Sequence, residues 1–462
     1  MTIWPPKRQD LRRPTYRSLA DSVVSAVRAG ELRSGDRLPT HRQLAYDLGV
    51  SVQTVSRAYE DLIRRGIIAG EVGRGTYVRA VPEETRTPYL PERQYGAIID
   101  CSMLKPVFDD LHDQAMRRML RDLGEKLPAS VVSSFRPSVA WHNCRPAALR
   151  WLSTCGVDVA NQGVLLTNGS TSAMSIALMT GMSHGDLMLT EDLTHHTLKP
   201  LADYLGVRAR GVEADDQGMV PEALERACQL WAPKLIYLMP TGLNPRALVM
   251  SRQRREQIVD IARRYNLVIV ENDAWGPLHP ARPDPVVTLA PERTFYFTSL
   301  SKCLMPGIRM GFLVVPETYE SAAANRHLVT NWSVTPLMAE ISSRWIMDGT
   351  AERFVAWQRD ALEDRNIRAR RLLQDMPIRS SPSGMHVWMP IPAPWSEDDF
   401  VAHARLHGVA VAPGGSFAIE RGSPHAGVRI CLGAATVDEL ELGLKVLSRL
   451  ARSRPEPALL TI

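Results

Sequence analysis

The stretch TFYFTSLSKCLMPGIRMG, residues 294–311, decides how the larger part of this chain is read. Thr294-Phe295-Tyr296-Phe297 is a short apolar, β-prone run, so it reads as a buried strand. Just beyond it Lys302 stands among the hydroxyl residues Thr298, Ser299 and Ser301. A lysine at a strand end can be held near neutral by neighbouring cations and a partly dry site. It can then condense with an aldehyde. Arg309 follows seven residues later. Its guanidinium, together with the Ser299 and Ser301 hydroxyls, can cradle a phosphate.

Upstream, strand-like runs alternate with helical ones. Gly163–Thr167, Asp186–Thr190, Lys234–Leu238 and Leu267–Val270 are the other apolar runs. Helical patterns begin near Ser172 and Leu198, and another spans Arg252–Tyr265. Repeated strand–helix units predict a mainly parallel sheet covered on both faces. Ligands of such sheets bind beyond the carboxyl ends of the strands. Thr167-Asn168-Gly169-Ser170-Thr171 lies at such an end and opens a helix, where backbone N–H groups favour an anion. Gly169, Ser170 and Thr171 become candidates for a cofactor phosphate through the resemblance given next.

The pattern S-x-S-K-x-x-x-P-G-x-R-x-G at 299–311 resembles the Schiff-base lysine motif of fold-type-I enzymes that use pyridoxal 5'-phosphate (PLP). The resemblance implies that Lys302 carries the cofactor and is the catalytic residue if chemistry occurs. Met239-Pro240-Thr241-Gly242-Leu243-Asn244-Pro245 resembles the segment whose asparagine bonds the ring hydroxyl, here Asn244; its usual Thr-Gly sequel is Arg246-Ala247. Gly427–Gly433 resembles the strand that presents an arginine to a substrate carboxylate, here Arg429, a residue that a structural ion pair would also suit. Glu191-Asp192-Leu193-Thr194 leads to His195, which stands where the family places an aromatic ring over the cofactor. In Glu271-Asn272-Asp273-Ala274-Trp275 the tryptophan takes the place of a tyrosine near the ring hydroxyl. Either Asn272 or Asp273 occupies the position facing the pyridine nitrogen. Only a carboxylate would keep that nitrogen protonated and the ring a strong electron sink. Met103-Leu104-Lys105-Pro106 resembles the start of this domain, and Trp141-His142-Asn143 suits a pocket wall or the core equally.

The first eighty residues are different. They carry a net charge of +6, against −1 for the rest, the footprint of a module that meets a polyanion. Tyr16, Leu19, Ala20, Val23 and Val27 make the apolar stripe of a helix from about Thr15 to Ala29. Thr40 caps a short second helix, and Ser51 caps a third that reaches about Arg65. A short helix, a glycine turn and a longer helix describe a helix-turn-helix. Arg42, Ser51, Gln53, Thr54 and Arg57 are placed to reach phosphates and base edges. Residues 67–78 form a hairpin wing whose tip carries Arg74, Gly75 and Thr76. The ordered landmarks G-D-R-L-P, R-x-L-A, L-G-V-S, T-V-x-R-A-Y and G-x-G-T-Y-V resemble the GntR-type winged helix-turn-helix, with Val52 where many members carry arginine.

Residues 81–98 read as a linker rich in Pro, Glu and Arg. The expected organisation is therefore α/β overall. A winged helix-turn-helix spans 12–80 and a fold-type-I aminotransferase-like domain 99–450, its large part about 130–330 and its smaller C-terminal α+β part about 331–450. This order resembles the MocR-type branch of GntR regulators. The resemblance implies a PLP-binding regulator that binds double-stranded DNA, works as a homodimer and responds to an amino acid, a related amine or PLP itself. A working aminotransferase carrying a DNA-binding domain is the alternative, and a bare dimerisation scaffold a third. No apolar run is long enough for a membrane span, and no secretory signal opens the chain. The six cysteines are scattered without a CxxC pair, so neither a metal site nor a disulfide framework is expected, and the cytoplasm fits.

Overall fold

The computed structural model describes residues 4–28, 31–32, 35–64, 67–71, 75–78, 98–133, 137–420 and 426–455. Two compact units divide at Glu92 and Arg93. Arg74 and nearly all of the predicted linker lie outside the described residues.

In the first unit, helices Thr15–Arg28, His41–Leu48 and Val52–Arg64 pack around one small core. Leu19, Ala20, Val23, Leu44, Leu48, Val55, Tyr59 and Leu62 are buried there. Thr40 caps the second helix by accepting from the Gln43 N–H at 3.3 Å, and Ser51 Oγ accepts from the Thr54 N–H at 3.1 Å. Tyr59 is buried but keeps its hydroxyl satisfied, donating to the Pro39 carbonyl at 2.8 Å. Strands Ile68–Glu71 and Gly75–Val78 pair antiparallel, and Arg37–Leu38 joins the second of them as a third strand. This is a winged helix-turn-helix.

The second unit is built on a seven-stranded sheet. Its order is 163–167, 311–315, 294–299, 268–272, 235–238, 187–191, 208–212. All neighbours are parallel except Gly311–Val315, which runs antiparallel to both of its own. Two of these strands have no counterpart among the sequence-predicted runs. Gly311–Val315 follows the lysine loop so closely that it must turn back against the strand it left. Arg208–Val212 is an edge strand, and its exposed charges hide its strand character.

Alternation along each strand sorts side chains between two apolar layers. Phe295, Phe297, Val268, Val270 and Tyr237 pack with helix Ser170–Gly181. Tyr296 packs on the other side with Trp151, Leu152 and Cys155 of helix Pro137–Thr154 and the turn beyond it. A smaller sheet combines His386–Pro390, Gly427–Cys431, Val409–Pro413 and Ile99–Cys101. The first strand after the predicted linker thus belongs to the C-terminal sheet, pairing in parallel with Val409–Val411.

Because Leu62 is fully buried at the centre of the N-terminal core, Leu62→Ala leaves a cavity there. A loss of about 2–5 kcal/mol is expected, read by urea denaturation of the N-terminal unit. A change below about 1 kcal/mol would show that this core is not packed as described.

Candidate functional site

Strand Thr294–Ser299 brings Ser299 to the carboxyl edge of the large sheet, on the parity shared with Phe295 and Phe297. The turn that follows carries Ser301 and Lys302, and Arg309 takes a left-handed backbone at φ 49°. Arg309 thereby returns to the start of helix Ser170–Gly181. Its Nη2 donates to the Asn168 carbonyl at 3.3 Å, and its Nη1 to Ser301 Oγ at 3.4 Å. Gly169 is the N-cap of that helix, with φ 82° and no side chain to cap it. A Cβ at Gly169 would lie 2.7 Å from Arg309 Nη2 and push the guanidinium aside, and the φ of 82° itself favours glycine. Helix N–H groups, a guanidinium and serine hydroxyls thus converge at one place, which is the chemistry of a phosphate cradle.

Lys302 donates to the Leu104 carbonyl at 2.5 Å. Loss of hydration and the positive fields of Arg429 and Arg309 push its ammonium down to about 8. Arg429 is buried on strand Gly427–Cys431. It donates to Asn244 Oδ1 at 2.9 Å and to the Ser102 carbonyl at 2.7 Å, and lies 4.6 Å over the Phe417 ring. Asn244 is thereby fixed by the same guanidinium that the sequence pairs with a ligand carboxylate.

His195 accompanies the lysine. Its Nδ1 bonds Thr197 Oγ1 at 2.8 Å, and its ring stacks on His196 with centroids 4.6 Å apart. Loss of hydration, His196, Lys302 and Arg429 hold it well below the usual histidine range, so it is a neutral ring. Trp275 is buried, tilted against His386 at 5.7 Å, and presses on Gly242.

Asn272 and Asp273 point to opposite layers. Asn272 Nδ2 donates to Tyr237 Oη at 2.7 Å, and its Oδ1 accepts from the Ala274 N–H at 3.1 Å. Tyr237 belongs to the layer of helix Ser170–Gly181, whose start forms the cradle. Asp273 does not join this group. Its Oδ2 accepts from Arg282 at 2.5 Å and from the Tyr296 hydroxyl at 2.6 Å, in the layer of Trp151 and Cys155. Arg282 also donates to the Cys155 carbonyl.

Several contributors have no sequence signal of their own. Arg246 makes two 2.8 Å bonds to Asp192 and so ties the Asn244 segment to the loop leading to His195. The backbone carbonyls of Ser102 and Leu104 are the others. His142 and Asn143 are exposed, and Asn143 bonds Ser130.

In the winged helix, Arg42, Ser51, Gln53 and Arg57 are exposed. Gln53 and Arg57 lie one helical turn apart on Val52–Arg64, and Arg57 rests 5.0 Å over the Tyr16 ring. Thr54 is half-buried, bonded to Ser51 Oγ at 2.8 Å. Gly75 and Thr76 open the second wing strand. Val52, at the position noted above, is exposed.

These geometries agree with comparisons to known proteins. The family model described as aminotransferase class I and II matches residues 132–447, and that for bacterial regulatory proteins of the gntR family matches 15–78. The HTH-type transcriptional regulator YdeF of Bacillus subtilis is 28% identical over 97% of this chain and 96% of its own. The vitamin B6 salvage pathway transcriptional repressor PtsJ of Salmonella typhimurium is 27% identical over 92% and 96%. Among solved structures, a kynurenine aminotransferase of Pyrococcus horikoshii superposes with TM-score 0.71 at 21% identity, covering 77% of this chain and 91% of that one. The fold and its edge-of-sheet site define an aminotransferase-like domain joined to a DNA-binding winged helix. The chain belongs to the class I and II aminotransferase family, and its N-terminal unit matches the gntR family of bacterial regulatory proteins, the two together spanning relatives named as HTH-type transcriptional regulators.

Competitive acetylation across pH, with Lys302 read by mass spectrometry, is expected to titrate at about 8. A midpoint near the ordinary lysine value of about 10.4 would contradict the assigned surroundings. Asp273→Asn removes one charge of a buried pair and is expected to cost about 3–5 kcal/mol in urea denaturation. An unchanged midpoint would contradict its structural role.

Proposed function

We propose that this regulator holds PLP at Lys302 and senses an amino compound there, changing how its winged helix engages double-stranded DNA. The observation that carries the reading is the grouping of Lys302, the Arg309–Gly169 cradle and the Asn244-bound Arg429 in one site. The residues fit the cofactor. Arg309, Ser301, Ser299 and the helix start at Gly169, Ser170 and Thr171 suit its phosphate. Asn244 and Trp275 suit its ring hydroxyl, and His195 its ring face. PLP bound there supplies an aldehyde carbon that amines exchange on and a ring that withdraws electrons. Arg429 offers a planar fork of donors to a ligand carboxylate. The name of PtsJ, a relative that acts in vitamin B6 salvage, makes the vitamin itself a second candidate signal.

Lys302 also suits the alternative, an active aminotransferase. Asn272 weighs against it. On our reading Asn272 lies on the cofactor side while Asp273 is spent on Arg282 and Tyr296. An amide cannot hold the pyridine nitrogen protonated as a carboxylate does, so proton removal from a bound amino acid is slow and capture is favoured over turnover. We further infer a homodimer. A cytoplasmic location follows from the DNA target.

The test is operator affinity, measured by fluorescence anisotropy on DNA selected by the protein itself. Wild type is expected to change affinity at least about fivefold when PLP and then an amine panel are added, and Lys302→Ala not at all. Equal responses in both proteins would refute capture at Lys302. In parallel, Asn272→Asp is expected to gain amino transfer to a keto acid by about tenfold or more over wild type. Efficient transfer by the wild type would favour the enzyme.

A further inference from the structure

Ser102-Met103-Leu104-Lys105-Pro106 is a strap that crosses the site and occupies two of its three cations. Arg429 donates to the Ser102 carbonyl at 2.7 Å, and Lys302 to the Leu104 carbonyl at 2.5 Å. Cys431 Sγ also points to the Ser102 carbonyl, at 3.5 Å. The strap is pinned at both ends. Asp100 Oδ1 accepts from the Ser102 N–H at 2.9 Å and from its hydroxyl at 2.6 Å. Ile99–Cys101 is itself paired into the small sheet. At the other end the Lys105 carbonyl presses on Gly433, where a Cβ would stand 1.9 Å from that oxygen.

We propose that this strap is an internal competitor for the site: its two carbonyls hold Lys302 and Arg429 until a captured ligand takes their place. The inference rests on the reading of Lys302 and Arg429 given under the proposed function. Lys302 first gives up a proton to solvent; its neutral amine then condenses with an aldehyde, a C=N bond replacing C=O as the oxygen leaves as water with both amine hydrogens, so the ammonium that serves Leu104 is gone. A carboxylate on Arg429 is the stronger partner for a guanidinium than a neutral carbonyl, so it displaces Ser102. The strap follows directly on strand Ile99–Cys101, the first described element after residues 79–97, which lead in sequence from the winged helix. Ligand capture therefore acts one short strand away from the connection to the DNA-binding unit.

Hydrogen exchange of the full-length protein tests this, with a peptide covering residues 99–107 as reporter and strand Thr294–Ser299 as internal reference. Pyridoxal phosphate is the probe, and its visible absorbance on the protein reports capture independently. Loading is expected to speed exchange in 99–107 by about tenfold, the loss of one bond to a charged group, with the reference unchanged. Lys302→Met, measured without any ligand, is expected to show the same acceleration. Gly433→Ala, which forces the Lys105 carbonyl away, is expected to show it as well. If the absorbance appears but exchange in 99–107 stays slow in the loaded protein and in Lys302→Met, the strap is not held by Lys302 and the proposal falls while the cofactor reading stands. If no absorbance appears, the cofactor reading falls and takes ligand displacement with it.

Discussion

Three cations share one small site at the edge of the large sheet, and the arrangement depends on how their mutual repulsion is met. Lys302, Arg309 and Arg429 are each answered by neutral groups: the Leu104 carbonyl, Ser301 with the Asn168 carbonyl, and Asn244 with the Ser102 carbonyl. Neutral acceptors satisfy geometry but leave the charge. Loss of hydration first, and the fields of Arg429 and Arg309 with it, drive the Lys302 ammonium down to about 8. A site of this kind favours anions. Its donors lie in two distinct places, one at the helix start beside Arg309 and one at the Arg429 fork. A phosphate-bearing aldehyde and an amino acid carboxylate match that division. The same field that favours them makes Lys302 a better nucleophile near neutral pH.

The opposite faces of Asn272 and Asp273 separate two jobs that a quick reading of the sequence merges. Asp273 is a structural carboxylate, closed in by Arg282 and Tyr296 within the layer of Trp151. Asn272 is an amide on the cradle side, joined to Tyr237. A protein that must report an amine gains from holding it rather than consuming it. Under the proposed function, an amide in this place slows consumption without weakening the groups that hold.

Much of this was legible in the sequence, and the reasons differ by residue. Lys302, Ser299, Ser301 and Arg309 lie within one short segment, where local spacing fixes mutual position. The winged helix was legible for the same reason, since its helices and caps are local: the observed helices begin and end within about two residues of the expected ones. The choice between Asn272 and Asp273 was not legible, because adjacent residues at a strand end face opposite layers and only the register tells which is which. Arg246 read as a departure from a pattern, and its partner Asp192 lies far away in sequence. The strap was least visible. Its contribution is made by backbone carbonyls, which every residue has, and by pairing of Ile99–Cys101 with a strand some three hundred residues later.

The central claim is that occupation of the Lys302 site and DNA binding are coupled. Coupling is reciprocal, so it is most directly measured from the side opposite to the one regulation uses. The visible absorbance of bound pyridoxal phosphate can be titrated with the free protein and with the protein saturated by its operator. Two curves displaced from one another are expected, by about fivefold or more in apparent affinity. Superimposable curves would show that the lysine site and the winged helix do not communicate, and would contradict it.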